Sequence, residues 1–164
     1  MDELKLLGKH CRDIVSGMEG ICTGIVEWMY GCQMYRLQPK AGDGKKEASS
    51  YFFEKQLEVL DGGISDRVEI PEYKPQEFFG KKCKDKVTGV RGICVGRSVS
   101  LFGGDQYVLE IQPEDESKES RVLWLDEGRV ECLEVVVEPG EVQGTRTGGI
   151  MDPAYYPREM GPIS

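Results

Sequence analysis

The sequence predicts an all-β protein that consists of two small tandem barrels followed by an extended C-terminal arm. Three observations predict this class: a segment recurs at an offset of 72 positions, 21 of the 164 residues are glycine, and short apolar runs alternate with glycine-containing turns. Glycine normally makes up about 7% of a globular protein. Because most of the glycine here falls between short alternating runs, the chain is expected to be rich in tight turns and strands.

The repeat defines the predicted domains. Residues 8–24 recur as residues 80–96, and the match continues to the end of each copy, where 57–60 aligns with 130–133. Each copy has about 55–60 residues, a size at which a single domain folds with a small margin. The predicted divisions are a first barrel over 1–62, a linker over 63–77, a second barrel over 78–137 and an arm over 138–164.

Each copy is predicted to contain five short strands. The first two enclose a glycine turn, at 16–20 in copy one and at 88–92 in copy two. The third strand ends before Pro39 or Pro113, because proline has no amide proton to donate to a ladder. A single 3₁₀ turn is expected before the last strand of each copy. The first four strands are predicted at 9–15, 21–30, 33–38 and 51–53 in copy one, and at 81–87, 93–102, 106–112 and 122–125 in copy two.

The linker and the arm are expected to lack strands, apart from one extended piece at 67–70. In the arm, prolines and glycines argue against regular structure. Its apolar residues, which include Tyr155, Tyr156 and Met160, are spaced like anchors that become ordered against a partner or a second subunit. The alternative is a solvated tail.

Charge disfavours a nucleic-acid partner. The net charge is −8, and residues 1–72 carry 9 basic and 13 acidic side chains against 12 and 16 in residues 73–164. A protein that neutralises phosphates needs a basic face, and only Lys82, Lys84 and Lys86, with Arg91 nearby, approach one. The three lysines alternate along a predicted strand and so share a face, for which a solvated surface is the alternative interpretation.

A membrane partner is not expected either. The sequence contains no run of 18 apolar residues. Its first residues lack the basic and then apolar pattern of a secretory signal. We therefore expect the protein to act in the cytoplasm in which it is made.

A family resemblance rests on the repeated motif. Residues 8–24, Gly31-Cys32, Tyr35, Gln38-Pro39 and the closing Gln56-Leu57-Glu58-Val59 resemble a small domain found in tailed-phage genomes, usually as a single copy in uncharacterised proteins. The pattern is also similar in outline to SH3-like barrels. The resemblance covers residues 7–60 and 79–135, and copy two departs from it at 103–105. It implies a phage origin and two tandem SH3-like barrels, and it brings no established catalytic residues.

The sequence offers no catalytic set. The one histidine, His10, is replaced by Lys82 in copy two, so it does not belong to the repeated design. Glycines at 17, 20 and 24 lack the Gly-Lys-Ser/Thr of a phosphate-binding loop. Asp13 and Asp85 are expected to accept backbone hydrogen bonds across their turns. We therefore predict that the protein is not an enzyme and uses no cofactor.

Six cysteines raise the question of a metal site. No C-x₂-C pair is present to hold two thiolates together, so no metal site is predicted. A cytoplasmic chain keeps its thiols reduced. The cysteines are expected to serve as small buried apolar residues.

Two main functional hypotheses follow. The first is a non-enzymatic phage accessory protein, a counter-defence factor in the host cytoplasm that occupies a host protein or sequesters a small signalling nucleotide. The second is a virion component, a capsid decoration or tail accessory, in which the arm mediates self-association. Nucleic-acid binding through the second barrel is a third. The candidate partner-binding positions are those at which the copies differ: Lys82, Lys84, Lys86, Arg91, Tyr155, Tyr156, Met160 and the hairpin tips 40–47 and 114–119.

Overall fold

The computed structural model describes residues 4–42, 48–75, 77–115 and 117–143. It confirms the all-β class, because ten strands in these ranges form one antiparallel sheet. The strands are β1 (His10–Asp13), β2 (Glu19–Trp28), β3 (Gln33–Gln38), β4 (Ser50–Phe53), β5 (Leu57–Asp61), β6 (Lys81–Asp85), β7 (Arg91–Ser100), β8 (Gln106–Ile111), β9 (Arg121–Asp126) and β10 (Val130–Val135).

One short helix contradicts the prediction that the arm has no regular structure at its start. A single α-helical turn, α1 (Pro139–Val142), follows β10. Proline is compatible with this position because the first helical residue needs no amide donor and proline already has a helical φ. Within the described residues, no helix is long and apolar enough to span a membrane.

The two copies share one strand order. Copy one is ordered β5-β1-β2-β3-β4 and copy two β10-β6-β7-β8-β9. The expected 3₁₀ turns are confirmed at Glu54–Gln56 and Glu127–Arg129, between the fourth and fifth strands of each copy. No ladder in the described residues joins β4 to β5 or β9 to β10, so hydrogen bonding does not close either copy into a barrel. The two-barrel arrangement stays a prediction.

The first strand of each copy ends earlier than predicted because an aspartate organises the turn. In copy one, β1 ends at Asp13, whose carboxylate accepts the amide of Ser16 at 2.9 Å. Gly17 then adopts a φ of 78°, which favours glycine over any residue with a Cβ. Ile14 and Val15, predicted as strand, lie exposed in this turn.

The copies are joined where β2 pairs with β7. Val26 lies opposite Ser98, and Trp28 lies opposite Gly96 just as Gly24 lies opposite Ser100. Val26 and Ser98 occupy the same position of the repeat, 72 residues apart. The ladder is therefore an isologous contact about a pseudo-two-fold axis through this pair, which is the geometry of a symmetric dimer.

Each copy contributes side chains to the core of the other. Successive residues of a strand point to opposite faces, so Ile25 packs into the copy-one cluster while Val26 and Trp28 pack with copy two. In return, Val99 and Leu101 pack into the copy-one cluster. Neither core is complete without a strand from the other copy.

A buried ion pair breaks the pseudo-symmetry of this junction. Glu27 lies opposite Arg97, and their side chains are 3% and 0% exposed. Nε of Arg97 donates to Oε2 of Glu27 at 3.1 Å, and Nη1 donates to the carbonyl of Lys74 at 2.8 Å. The second carboxylate oxygen accepts hydrogen bonds from Tyr73 and Gln33. On the other side of the axis, the equivalent pair is Ile25 and Val99, which is wholly apolar.

Candidate functional site: two equivalent grooves

Copy one carries an open groove that we call the His10 groove. Its volume is about 700 Å³, and it lies between the start of the β1–β2 hairpin, the end of β3 and the segment after β5. Four lining residues are apolar: Ile21, Pro39, Ile64 and Phe102. Seven are polar: the ionisable His10, Glu19, Lys40, Asp61 and Arg67, with Thr23 and Gln38.

A β-bulge brings His10 and Asp61 together. In the β1–β5 ladder, Cys11 pairs with Val59 but His10 pairs with Asp61, so Leu60 is the extra residue. A bulge re-aims the side chains beside it. As a result, Nδ1 of His10 lies 2.9 Å from Oδ2 of Asp61. This hydrogen bond, together with the amide of Gly63, holds the pKa of Asp61 below its usual range.

The two acidic side chains of the groove, Glu19 and Asp61, both lie beside His10. Glu19 lies 3.5 Å from Nε2 of His10 and 3.4 Å from Nη1 of Arg12. Lys40 and Arg67, by contrast, are exposed at the rim, and neither forms an ion pair within the part of the chain that the structure describes. They are the cations left to interact with a ligand.

Copy two completes the His10 groove with an aromatic side chain. Phe102 follows β7 and is 70% exposed. The preceding residue is fixed against copy one, because the amide of Leu101 donates to the carbonyl of Thr23 at 2.8 Å. The groove is therefore composite, and its aromatic wall depends on the β2–β7 junction.

The corresponding groove of copy two, which we call the Lys82 groove, is smaller. Its volume is about 330 Å³, and its lining includes Lys82, Arg91, Ile93 and Glu110. The same bulge recurs, and it places Glu134 opposite Lys82. Here the aromatic residue from the other copy, Tyr30, lies against the groove wall and donates to Oε2 of Glu110 at 3.3 Å.

The structure brings some of the predicted binding residues together and separates others. Lys82 and Lys84 alternate along β6 with the buried Cys83 and Asp85 and so lie on its outward face, and Lys82 shares its groove with Arg91. Lys86 does not continue this row, because β6 ends at Asp85 and Lys86 begins the turn. Residues 43–47 of the first hairpin tip, with Tyr155, Tyr156 and Met160, lie outside the described residues.

Asp13 and Asp85 have the predicted turn-forming role. Asp13 accepts the amide of Ser16, and Asp85 accepts the amide of Val87 at 3.0 Å. Asp85 also binds Arg129, whose Nη2 lies 2.6 Å from Oδ2. Arg129, followed by the hydroxyl of Thr88, holds the pKa of Asp85 far below its usual range. Both carboxylates are thus engaged by the fold rather than directed at a substrate.

Five of the six cysteines are buried, as expected, whereas Cys132 is partly exposed. Burial raises the pKa of Cys22 to about 12 and that of Cys94 to about 12, so neither is a thiolate at neutral pH. Sγ of Cys83 lies 3.1 Å from Sγ of Cys132. Within the described residues, no cluster of three or more His, Cys, Asp or Glu could hold a metal ion.

Sequence reasoning did not find the His10 groove. The sequence places His10 outside the repeated design because copy two has Lys82 at that position, although this difference between the copies is itself a signal. Lys40 lies in a predicted tip, but its equivalent in copy two is Glu114. Grouping these differences into one site requires the bulge at Leu60 and the junction that delivers Phe102, and both are long-range features.

Comparison with known proteins gives no match to a family model, to a curated protein or to a solved structure. The resemblance to a tailed-phage domain therefore stays an expectation.

Proposed function

We propose that the chain is a non-enzymatic phage accessory protein that acts by binding, as a counter-defence factor that removes a small molecule from solution. The observation that carries the proposal is the His10 groove, with its volume of about 700 Å³. Small-molecule sites are concavities of about 300–1,000 Å³ with apolar walls and a few convergent polar groups. The His10 groove has this size and this composition.

The chemistry of the groove favours binding over catalysis. A nucleophile and its base must lie within hydrogen-bond reach of one another. Among the lining residues that the structure describes, Thr23 has the one hydroxyl, and it accepts a hydrogen bond from Nε of Arg36 at 3.0 Å. His10 has carboxylates on both sides rather than a hydroxyl or a thiol. This arrangement fixes the imidazole without giving it a nucleophile to activate.

A small molecule is favoured over a host protein as the occupant. Protein partners bury about 800 Å² on each side and dock on broad surfaces. The His10 groove is instead a concavity whose lining combines apolar and charged side chains. That shape encloses a compact ligand better than it matches a flat surface.

The test uses the full chain purified from infected cells, with small molecules extracted after denaturation and identified by mass spectrometry. Ile21→Trp fills the His10 groove, and Ile93→Trp makes the same change at the equivalent position of the Lys82 groove. We expect a molecule to be released from the wild type and from Ile93→Trp but not from Ile21→Trp. Equal release from both variants, or no release at all, would contradict the proposal.

A second measurement separates this function from the virion hypothesis. Purified particles are analysed by mass spectrometry for the chain. We expect the chain to be absent from them. A fixed number of copies per particle would overturn the counter-defence proposal in favour of a capsid or tail component.

A further inference from the structure

We infer that the His10 groove takes a nucleoside phosphate, with the base stacked on Phe102 and the phosphate held by Lys40 and Arg67. The inference rests on the proposed function and names the chemistry of the ligand at the same site. It is carried by three independent features of the groove: an exposed aromatic wall, two rim cations without partners in the described chain, and a fixed polar pair.

The aromatic wall provides a stacking surface. Phe102 is 70% exposed, which leaves most of its ring available. Exposing a phenylalanine is unfavourable in water, and a planar base that stacks on the ring covers it. Because the amide of Leu101 donates to the carbonyl of Thr23, the backbone that precedes Phe102 is anchored to copy one.

The rim cations provide the phosphate contact. The chain carries a net charge of −8, so an anion needs a local positive site to bind at all. Lys40 and Arg67 line the groove and are exposed, whereas Glu19 already pairs with Arg12 and Asp61 with the imidazole of His10. An arginine and a lysine together suit a phosphate, since arginine binds it through two parallel donors and lysine as a point charge.

The fixed polar pair suits the sugar. His10 and Asp61 hold each other at 2.9 Å, and Glu19 lies at the far side of the imidazole. Carboxylate oxygens accept hydrogen bonds from ribose hydroxyls, and the hydrogen bond with His10 orients the carboxylate of Asp61. The groove thus offers one kind of contact for each part of a nucleoside phosphate.

The Lys82 groove does not offer the same combination. Glu134 and Glu131 lie opposite Lys82 and Lys84 in the β6–β10 ladder, so each lysine has a carboxylate residue as its cross-strand neighbour. The hydroxyl of Tyr30 donates a hydrogen bond to Glu110, whereas the ring of Phe102 is largely exposed. Although the two grooves arise from one repeat, the ligand site belongs to copy one.

The test is calorimetric titration of the full chain with the four ribonucleoside monophosphates, their nucleosides, and ribose 5-phosphate. At least one monophosphate is expected to bind, its nucleoside more weakly, and ribose 5-phosphate more weakly still. Phe102→Ala should weaken binding of the monophosphate and of the nucleoside by about tenfold or more, and Phe102→Trp should retain it. Lys40→Ala with Arg67→Ala should reduce affinity for the monophosphate to that of the nucleoside and leave the nucleoside unaffected.

The matched control is Lys82→Ala with Arg91→Ala, which removes two cations from the other groove and should leave every affinity unchanged. A loss of binding in that control would place the site in the Lys82 groove and overturn the inference. So would equal binding of ribose 5-phosphate and the monophosphate. If no monophosphate binds while infected cells still yield a molecule that depends on Ile21, the inference is wrong and the proposed function stands. If neither is observed, both are wrong.

Discussion

Val26 lies directly opposite Ser98 in the β2–β7 ladder, and these two residues hold the same position of the repeat. A strand that pairs with its own repeat equivalent generates a two-fold relation between the copies. The junction thereby makes one polypeptide resemble a symmetric dimer. It also explains why β2 and β7 are buried along nearly their whole length, since each serves its own copy and the other.

The buried ion pair at this junction is expected to specify pairing between unlike copies. Arg97→Ile alone leaves Glu27 buried without its guanidinium and should lower the free energy of unfolding by about 3–5 kcal/mol. Glu27→Val with Arg97→Ile reproduces the apolar pair found across the axis and should recover most of this loss. Urea unfolding of the wild type, both single variants and the double variant measures the coupling. Additive losses in the double variant would show that the two side chains act independently.

Gly96 allows the close approach of Trp28 across the junction. A Cβ at Gly96 would lie 2.7 Å from Cε3 of the indole, a carbon that is held within the core. Gly96→Ala should therefore destabilise the protein by about 1–3 kcal/mol through overpacking. Gly104→Ala is the matched control, because nothing lies within 4 Å of the added Cβ. Equal unfolding midpoints for the two variants would contradict the close contact.

Acid stability should depend on Asp85. Its folded-state pKa is depressed by Arg129 and by the Thr88 hydroxyl, so its contribution to stability is complete above the unfolded value of about 3.9. The contribution is lost progressively as the pH falls from that unfolded value through the folded-state pKa. Asp85→Asn should lower stability at neutral pH and flatten the acid limb of a plot of unfolding free energy against pH.

Asp13→Asn is the comparison in copy one. Burial disfavours the ionised form of Asp13 and acts to raise its pKa, but hydrogen bonds from Ser16 and Val15 lower the pKa overall. The repeat position of Arg129 is occupied by Gln56 in copy one, so Asp13 has no arginine partner at that position. Its effect on the acid limb should be smaller than that of Asp85→Asn. Parallel pH profiles for the wild type and Asp85→Asn would show that the pairing with Arg129 makes no difference to folding.

Separated copies should recombine as unlike pairs. A fragment of residues 1–77 exposes Val26 and Trp28, which normally pack in the copy-two cluster. A fragment of residues 78–164 likewise exposes Val99 and Leu101. Paired with itself, the first fragment would set Glu27 against Ile25 and bury an unpaired charge. Light scattering after chromatography should show a one-to-one complex on mixing, and stable dimers of either fragment alone would contradict this.

Much of the local structure could be predicted from the sequence because its causes are local. The strand β3 was predicted with its observed bounds, since proline and alternation mark both ends. The turn roles of Asp13 and Asp85 follow from short carboxylates beside glycines. The end of β6 was predicted two residues too late, because Lys86 and Val87 continue the strand pattern into a turn that Asp85 organises.

The sequence by itself determined the duplication, the all-β class and the hairpin turns, because glycine positions and side-chain alternation act over a few residues. Only the tertiary structure decided that β2 pairs with β7, that the cores exchange side chains and that Phe102 completes a groove built mainly by copy one. These depend on contacts between residues about 70 positions apart, and strand alternation indicates which face is buried without naming the strand that covers it. The pairing partner is selected by the fit of whole surfaces, and that selection placed His10, Lys40 and Phe102 in one groove.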